Sequence, residues 1–433
     1  MEEAKGIQQI RKGKLSIGRL QFATPFMLSE VKSPADLQYV VDWMGRFDAE
    51  NLQGIVAPLY DSKRILLALN TNMGGQRQFG GDPVSNPYAN IKQTKLVLLD
   101  PKLELAISTV SHEVTMPGNL PERYLSMIRN KKDRKDVYKI YSDFLDFIDR
   151  NTPSYVSSML IAQISNGATV LLAPSNLIVN EESRTLDLSI KVNRATAQIS
   201  KLNEGWTYSY YFLLRVSDFE DDEIYKRIIE VIAKDRPPLV FFKVIDIEYL
   251  DSRNAMVQRT NLKKFLKDLR LLTKSSSIST FFLNLDALGL FLTYCGIDGF
   301  STPVDGMIST RAYNGMKNRN LSQEFKGRYF LYKLMAFIPY RALIKMRKEL
   351  KAIPCPNGCC DAYNEYDLSK LSRLTKARFC RLHYLNTMNA YLTEIHKGIE
   401  QDNIRAFENK LLDSACINYH DMLPTELTPI PQA

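Results

Sequence analysis

The chain has 433 residues, a length that suits one large α/β domain with an appendage or two ordinary domains. Hydrophobic residues make up 45% and charged residues 24%, which excludes wholesale disorder, and no run of 18 apolar residues offers a membrane span. The net charge of +9 is spread along the chain and favours a polyanionic partner such as nucleic acid.

Taken in chain order, the charged start Met1-Glu2-Glu3-Ala4-Lys5 lacks the apolar stretch of a secretory signal, so a cytoplasmic location is expected. Short apolar runs rich in β-branched and aromatic residues then recur at 22–27, 54–59, 96–99, 169–173, 210–216, 239–245, 280–285 and 296–300. They are continuous rather than alternating, as strands buried on both faces of a parallel sheet are. The intervals 120–149, 222–234 and 261–272 space their apolar residues as helices do. Eight such strands with crossover helices close into an α/β fold of the (β/α)8 TIM-barrel type. Two stretches, 103–114 and 185–191, alternate apolar and polar residues and read as hairpin strands inserted into the barrel. The Gly-, Asn- and Gln-rich stretch 70–91 reads as a long rim loop.

Polar residues close most of these runs: Asp61, Asp100, Asn176, Asp218, Asp246, Asn284 with Asp286, and Asp298. Singly, each is an ordinary turn or capping residue. Together they predict an acid-rich mouth at the C-terminal ends of the strands, where barrel enzymes build their sites.

Past residue 325 the character changes, which divides the chain into a barrel domain, 1–325, and a helical zinc-binding subdomain, 326–433, packed on it. The stretch 328–350 reads as one long helix with a basic end, followed by helices at 368–376, 382–400 and 403–413. Between them lies a tight loop, Pro354-Cys355-Pro356-Asn357-Gly358-Cys359-Cys360, with His383 22 residues beyond its last cysteine. Of six cysteines, four fall between 355 and 380, which in a reducing compartment points to metal before disulfide. Three thiolates and one imidazole, Cys355, Cys359, Cys360 and His383, make a common structural zinc set. Cys380, one helical turn before His383, is the alternative to Cys359.

These residues resemble the C-terminal zinc segment of tRNA-guanine transglycosylases, written C-x-C-x2-C, about 22 residues, then His-Asn-Leu. Cys355, Cys360 and His383 match it, whereas the second family cysteine falls on Asn357, so Cys359 supplies that ligand. The stretch from Leu382 to Phe407 is similar to the family's following helix. A weaker match covers Gly296–Gly315 against the block G-V-D-x-F-D-C-V-x-P-T-R-x-A-R-N-G, which holds the family's nucleophile. Aligned from the left, Ser301 occupies the nucleophile's place; aligned from the right, Asp305 does, with Ser309-Thr310-Arg311 on Pro-Thr-Arg. The right-hand alignment is the one adopted. The family's T-D-S-G-G-F-Q motif has no counterpart, and Asp100 is the positional candidate for its aspartate.

With that motif lost, the resemblance is strongest to the DNA-modifying, DpdA-type branch, which exchanges guanine in DNA for a 7-deazaguanine. It implies Asp305 as nucleophile on the sugar, Asp100 as general acid/base, and Asp246, Asp298 and Arg311 as substrate contacts. It also implies a zinc ion, DNA as the polymer with tRNA as the alternative, a free base such as 7-cyano-7-deazaguanine (preQ0), and helper proteins of a modification system. The rival expectations are a catalytically inactive barrel that binds nucleic acid or a partner protein, and a hydrolase that removes a base without replacing it. The basic runs 131–135, 317–319 and 345–348 are candidates for holding phosphates.

Overall fold

The computed structural model describes residues 13–17, 19–31, 34–44, 50–59, 95–101, 145–175, 184–202, 206–215, 218, 221–245, 260–285, 288–294, 296–304, 328–331, 336–350, 353, 355 and 357–400. The expected elements at 70–91, 103–114 and 403–413 lie outside them.

Strands β1 (Gly13–Ile17) and β2 (Leu20–Thr24) form an antiparallel hairpin that precedes an eight-stranded sheet. The sheet comprises β3 (Phe26–Glu30), β4 (Leu52–Pro58), β5 (Leu96–Asp100), β6 (Leu171–Leu172), β7 (Tyr208–Arg215), β8 (Leu239–Ile245), β9 (Ser279–Leu283) and β10 (Gly299–Pro303). All neighbours are parallel, and β10 lies beside β3, so the strands run round in chain order. One parallel bridge, Leu98 to Val170, joins β5 towards β6 and nearly closes the barrel. Helices Pro34–Met44, Thr152–Ser165, Thr185–Leu202, Asp222–Asp235, Thr260–Ser275 and Leu288–Tyr294 fall between successive strands.

The two faces of each strand separate into two cores. Outward residues such as Met27, Val97, Phe212, Phe242, Phe282 and Phe300 pack with the helices. Inward residues such as Phe26, Leu28, Leu96, Leu98, Tyr211, Phe241, Phe281 and Leu283 fill the lumen, joined by Leu15, Ile17 and Phe22 of the hairpin. Phe281 lies 5.2 Å from Phe26 and 5.0 Å from Phe241, ring centre to ring centre. Gly299 makes room for that ring, since a Cβ there would stand 2.9 Å from it and 2.6 Å from the Phe26 carbonyl. Each buried phenylalanine contributes roughly 1.5–3 kcal/mol.

Four expectations are corrected. The run 22–27 spans two elements: Leu20–Thr24 pairs back on β1, and only from Phe26 does the chain join the barrel, Pro25 having no N–H for a continuous ladder. The stretch 185–191 is no hairpin strand but the start of helix Thr185–Leu202. That helix buries Ser189, Asn193, Thr196 and Ser200 at helical spacing, a period that a seven-residue window cannot show. The stretch 328–350 is no single helix: β11 (Arg328–Leu331) pairs antiparallel with β12 (Ala336–Pro339), and the helix begins at Tyr340. Pro339 cannot sit inside a helix and so marks the change. The helices expected at 368–376 and 382–400 are one, Arg373–Glu400.

That last helix belongs to two cores. Phe379 and Cys380 pack with Tyr329 and Tyr340, whereas Tyr384, Leu385, Met388, Leu392 and Ile395 pack with the outer wall of the barrel. The Tyr384 hydroxyl meets Thr302 Oγ1 of β10, Asn51 Nδ2 donates to the Asn389 carbonyl at 3.2 Å, and His396 Nε2 donates to the Pro25 carbonyl at 2.8 Å. Arg381 pairs with Asp36 at 3.3 Å and lies over the Tyr39 ring. Its C-terminal half thus takes the place of the eighth barrel helix. Among the described residues, no helix is long and apolar enough to cross a membrane.

Candidate functional site

Among the described residues, one polar cluster is partly buried beside the barrel and another lies deep inside it. The first is built where the C-terminal helix enters. Gly358, at φ +65°, turns the loop in a conformation that L side chains rarely adopt, and the Asp361 N–H closes the turn on the Gly358 carbonyl at 3.0 Å. Cys359 and Cys360 then face His383, while Cys355 comes in from the loop's other limb. The sulfur atoms of Cys355 and Cys359 lie 3.4 Å apart, those of Cys359 and Cys360 3.9 Å, and His383 Nδ1 is 3.5 Å from Cys359 and 3.2 Å from Cys360. All four ligand atoms lie within 4.8 Å of one another. A tetrahedral ion with bonds of ~2.3 Å to sulfur and ~2.0 Å to nitrogen needs edges of roughly 3.5–3.8 Å, so the set fits one.

The surroundings prepare the ligands. His383 Nε2 lies 2.9 Å from the Phe330 carbonyl of β11, which can only accept. The proton therefore sits on Nε2, and Nδ1 presents its lone pair to the sulfurs. The Tyr329 ring stacks on the imidazole at 4.2 Å, and its hydroxyl approaches Cys360 and His383 Nδ1. Hydrogen bonding to Cys359 and Cys360 holds the Cys355 thiol far below its ordinary range. The bond to Cys355 in turn pushes Cys359 up to about 12, and Cys360 is raised as well by bonds to Cys355 and Cys359. Three crowded sulfurs cannot all ionise unaided, and a cation removes that conflict. Cys380 is buried among apolar side chains outside the cluster, so Cys359 is the third thiol.

The second cluster lies inside the barrel. Strand alternation puts Phe26, Leu28 and Glu30 on the lumen face of β3, and likewise Leu96, Leu98 and Asp100 of β5 and Leu239, Phe241 and Lys243 of β8. β3 and β5 end their inward rows on a charged residue, and β8 carries one at Lys243, two residues before its end. Lys243 Nζ reaches Asp100 Oδ2 at 2.9 Å, with both side chains almost wholly buried. Tyr211 of β7 donates its hydroxyl to Asp100 Oδ1 at 3.3 Å, and Asn193 of the outer helix fixes Tyr211 by bonds of 2.7 and 3.1 Å to its backbone. Beside them, the Asn284 N–H donates to Glu30 Oε1 at 2.6 Å and lies 2.9 Å from Ser301 Oγ, while the Ser301 hydroxyl donates to the same carboxylate oxygen. Asn284 Nδ2 is anchored to the Val244 carbonyl at 3.1 Å, next to Lys243.

Of the expected site residues, Asp100 stands at the C-terminal end of β5, inside the lumen. Asp298 does not reach that rim. The last strand begins three residues later than the run 296–300, so Asp298 lies at its N-terminal end, accepting from the Thr280 N–H at 2.8 Å and, through its carbonyl, from the Phe26 N–H. Asp305, Asp246 and Arg311 lie outside the described residues. Ser301, the left-hand alignment's residue, is buried in β10 on the lumen side. Tyr211 reads from the sequence as strand core, and Glu30 and Lys243 are not marked by any motif; the signal that could have found them is an inward row, two residues apart, that turns from apolar to polar.

Arg347, expected to hold phosphate, donates to the carbonyls of Asn364 and Tyr366 and so braces the loop that carries the thiols. Arg341, Lys348 and Arg373 of the same lobe are exposed. Between residues 340 and 381 there are ten Lys and Arg against four Asp and Glu, so the positive charge is less evenly spread than expected and much of the excess lies in this stretch.

No protein-family model matches the chain, and no curated protein matches it.

Proposed function

We propose that the chain is a base-exchange enzyme of the guanine-transglycosylase kind, replacing guanine in DNA by a 7-deazaguanine, with tRNA as the alternative polymer. What supports this most is one coincidence. A nearly closed eight-stranded barrel carries a buried group of charges, Glu30, Asp100 and Lys243, towards its C-terminal strand ends, and a Cys3His set lies near the head of its closing helix. Those are the two features that the sequence resemblance calls for.

The proposed ion of the Cys3His set is zinc, which suits three soft thiolates and one imidazole in a closed tetrahedron. When bound it serves structure, stabilising the loop against the helix through Cys355, Cys359, Cys360 and His383. The chemistry belongs to the lumen. Base exchange on a sugar with retention uses a carboxylate to attack C1′ and a second group to handle the proton of the departing base. Lys243 and Asp100 hold one transferable proton between them: the ammonium gives it to the leaving guanine and recovers it from the incoming base, while Asp100 and Tyr211 keep the amine in place. The substrate nucleotide must leave its stack to enter the mouth. The exposed Arg341, Lys348 and Arg373 offer phosphate contacts without sequence preference.

One observation favours a second reading, a barrel that only binds polynucleotide: a serine, Ser301, stands where the left-hand alignment puts the nucleophile. Release of labelled guanine from DNA separates the readings. Release beyond one guanine per chain that requires an added 7-deazaguanine supports exchange, release beyond one per chain without it identifies a hydrolase, and no release from DNA or tRNA leaves a binding protein.

A further inference from the structure

We propose that Glu30, on the first barrel strand, is the carboxylate that attacks the sugar, a role that the resemblance assigns to an aspartate on or after the last strand; this inference rests on the base-exchange reading. β3 and β10 are adjacent and parallel, with Pro303 level with Glu30 and Ser301 two residues below it. A longer side chain on β3 therefore reaches the space above Ser301, and the Ser301 hydroxyl does donate to Glu30 Oε1. The carboxyl group missing from β10 is returned to the same corner of the lumen by its neighbour.

Three features suit Glu30 to attack rather than to simple packing. It is buried at 4% exposure, yet no described cation pairs with it, whereas the nearby Asp100 is neutralised by Lys243. A buried carboxylate that no described cation neutralises is costly unless it meets a positive centre, and an oxocarbenium-like sugar carbon is one. Its two oxygens are also unequal. Oε1 takes the Asn284 N–H and the Ser301 hydroxyl, and no described residue donates to Oε2, which is left as the attacking atom. Finally, the N–H that orients it comes from a turn with Asn284 at φ 64°, an uncommon backbone for a side-chain-bearing residue, held there by its own bond to Val244.

In the step proposed, a lone pair of Glu30 Oε2 forms a bond to C1′ as the C1′–N9 bond breaks. The bonding pair leaves with guanine, which takes the proton of Lys243. The resulting glycosyl ester is then attacked at C1′ by N9 of the 7-deazaguanine; the ester C–O pair returns to Glu30, and the N9 proton returns to Lys243. No oxidant or further reactant is needed, and the sugar configuration is retained.

The test uses the intact wild-type chain. It is incubated with guanine-containing DNA and, separately, with tRNA, without added base, then denatured and digested, and the peptide carrying the nucleotide is identified by mass spectrometry. An adduct on Glu30 is expected; an adduct on Asp305 or any other residue overturns the inference while leaving base exchange standing. Glu30→Gln keeps acceptors for Asn284 and Ser301, so it should unfold at nearly the wild-type temperature while losing exchange by roughly a thousandfold or more. If exchange occurs without a trapped adduct, a Glu30→Gln protein that exchanges at the wild-type rate overturns the inference. If the wild type exchanges nothing on either polymer, the base-exchange reading itself fails, and Glu30 loses its role with it.

Discussion

The thiol–imidazole cluster, half-buried, and the lumen cluster, fully buried, are both polar, yet they are assembled in opposite ways. The first draws its ligands from one stretch of chain, Cys355 to His383, with Tyr329 and Phe330 just before it. The second gathers Glu30, Asp100, Tyr211, Lys243, Asn284 and Ser301 from six strands or strand ends along most of the barrel. One is a local set of four ligand atoms that could hold a metal ion. The other is charge held by the sheet itself, where each member is fixed by the register of its strand. A local cluster fails when its ion leaves; a distributed one fails when a single partner is removed and its counterpart is left buried.

The largest effect separating them should come from the metal. Cys355→Ala with Cys360→Ala is expected to abolish about one bound zinc per chain and, with it, binding-coupled stability on the order of 10 kcal/mol in the C-terminal lobe. Elemental analysis and chelator-dependent unfolding report this, and a double variant that still retains one zinc per chain would refute the local chelate.

Next in size is the lumen. Lys243→Met leaves Asp100 buried without its ion-pair partner and should cost about 3–5 kcal/mol in denaturant unfolding, whereas Lys243→Met with Asp100→Leu should recover most of that loss. Neither change should alter zinc content. If the single variant is as stable as wild type, the two charges are not held as a buried pair.

How much of this the sequence disclosed follows from the same contrast. Cys355, Cys359, Cys360 and His383 announce themselves by type and spacing within 29 residues, so the metal set was legible. So were the eight strands, because parallel barrel strands are apolar on both faces. Lys243 was not, since 239–245 reads as one buried run and nothing in it says which face looks inward. Only the pairing of Lys243 across to Asp100 shows that. Glu30 lay beyond the end of the run read as the first strand, and Asp298 was put at the wrong end of the last one. Both errors are shifts of three or four residues, enough to move a side chain from one mouth of a barrel to the other.

Smaller effects sharpen the picture of the basic lobe. Arg347→Ala should lose about 1–2 kcal/mol from the lobe, because two carbonyls lose their donor. Lys348→Glu should leave stability nearly unchanged but weaken DNA binding across all sequences and lower the salt dependence by about one counterion per removed contact. Equal effects of the two on unfolding would show that Arg347 braces nothing. Smallest of all, Tyr329→Phe keeps the stack on His383 and removes only a hydroxyl near sulfur. A loss of about 1 kcal/mol or less, with zinc retained, is expected.

The proposed exchange of a base in nucleic acid is tested most directly with labelled 7-cyano-7-deazaguanine. The protein is incubated with the labelled base and either guanine-containing DNA or tRNA, and the polymer is recovered and digested to nucleosides. Label in a DNA nucleoside, at the expense of an equal amount of released guanine, is the predicted result. Label in tRNA alone would move the substrate assignment to RNA, and a polymer unlabelled in both incubations would contradict the account.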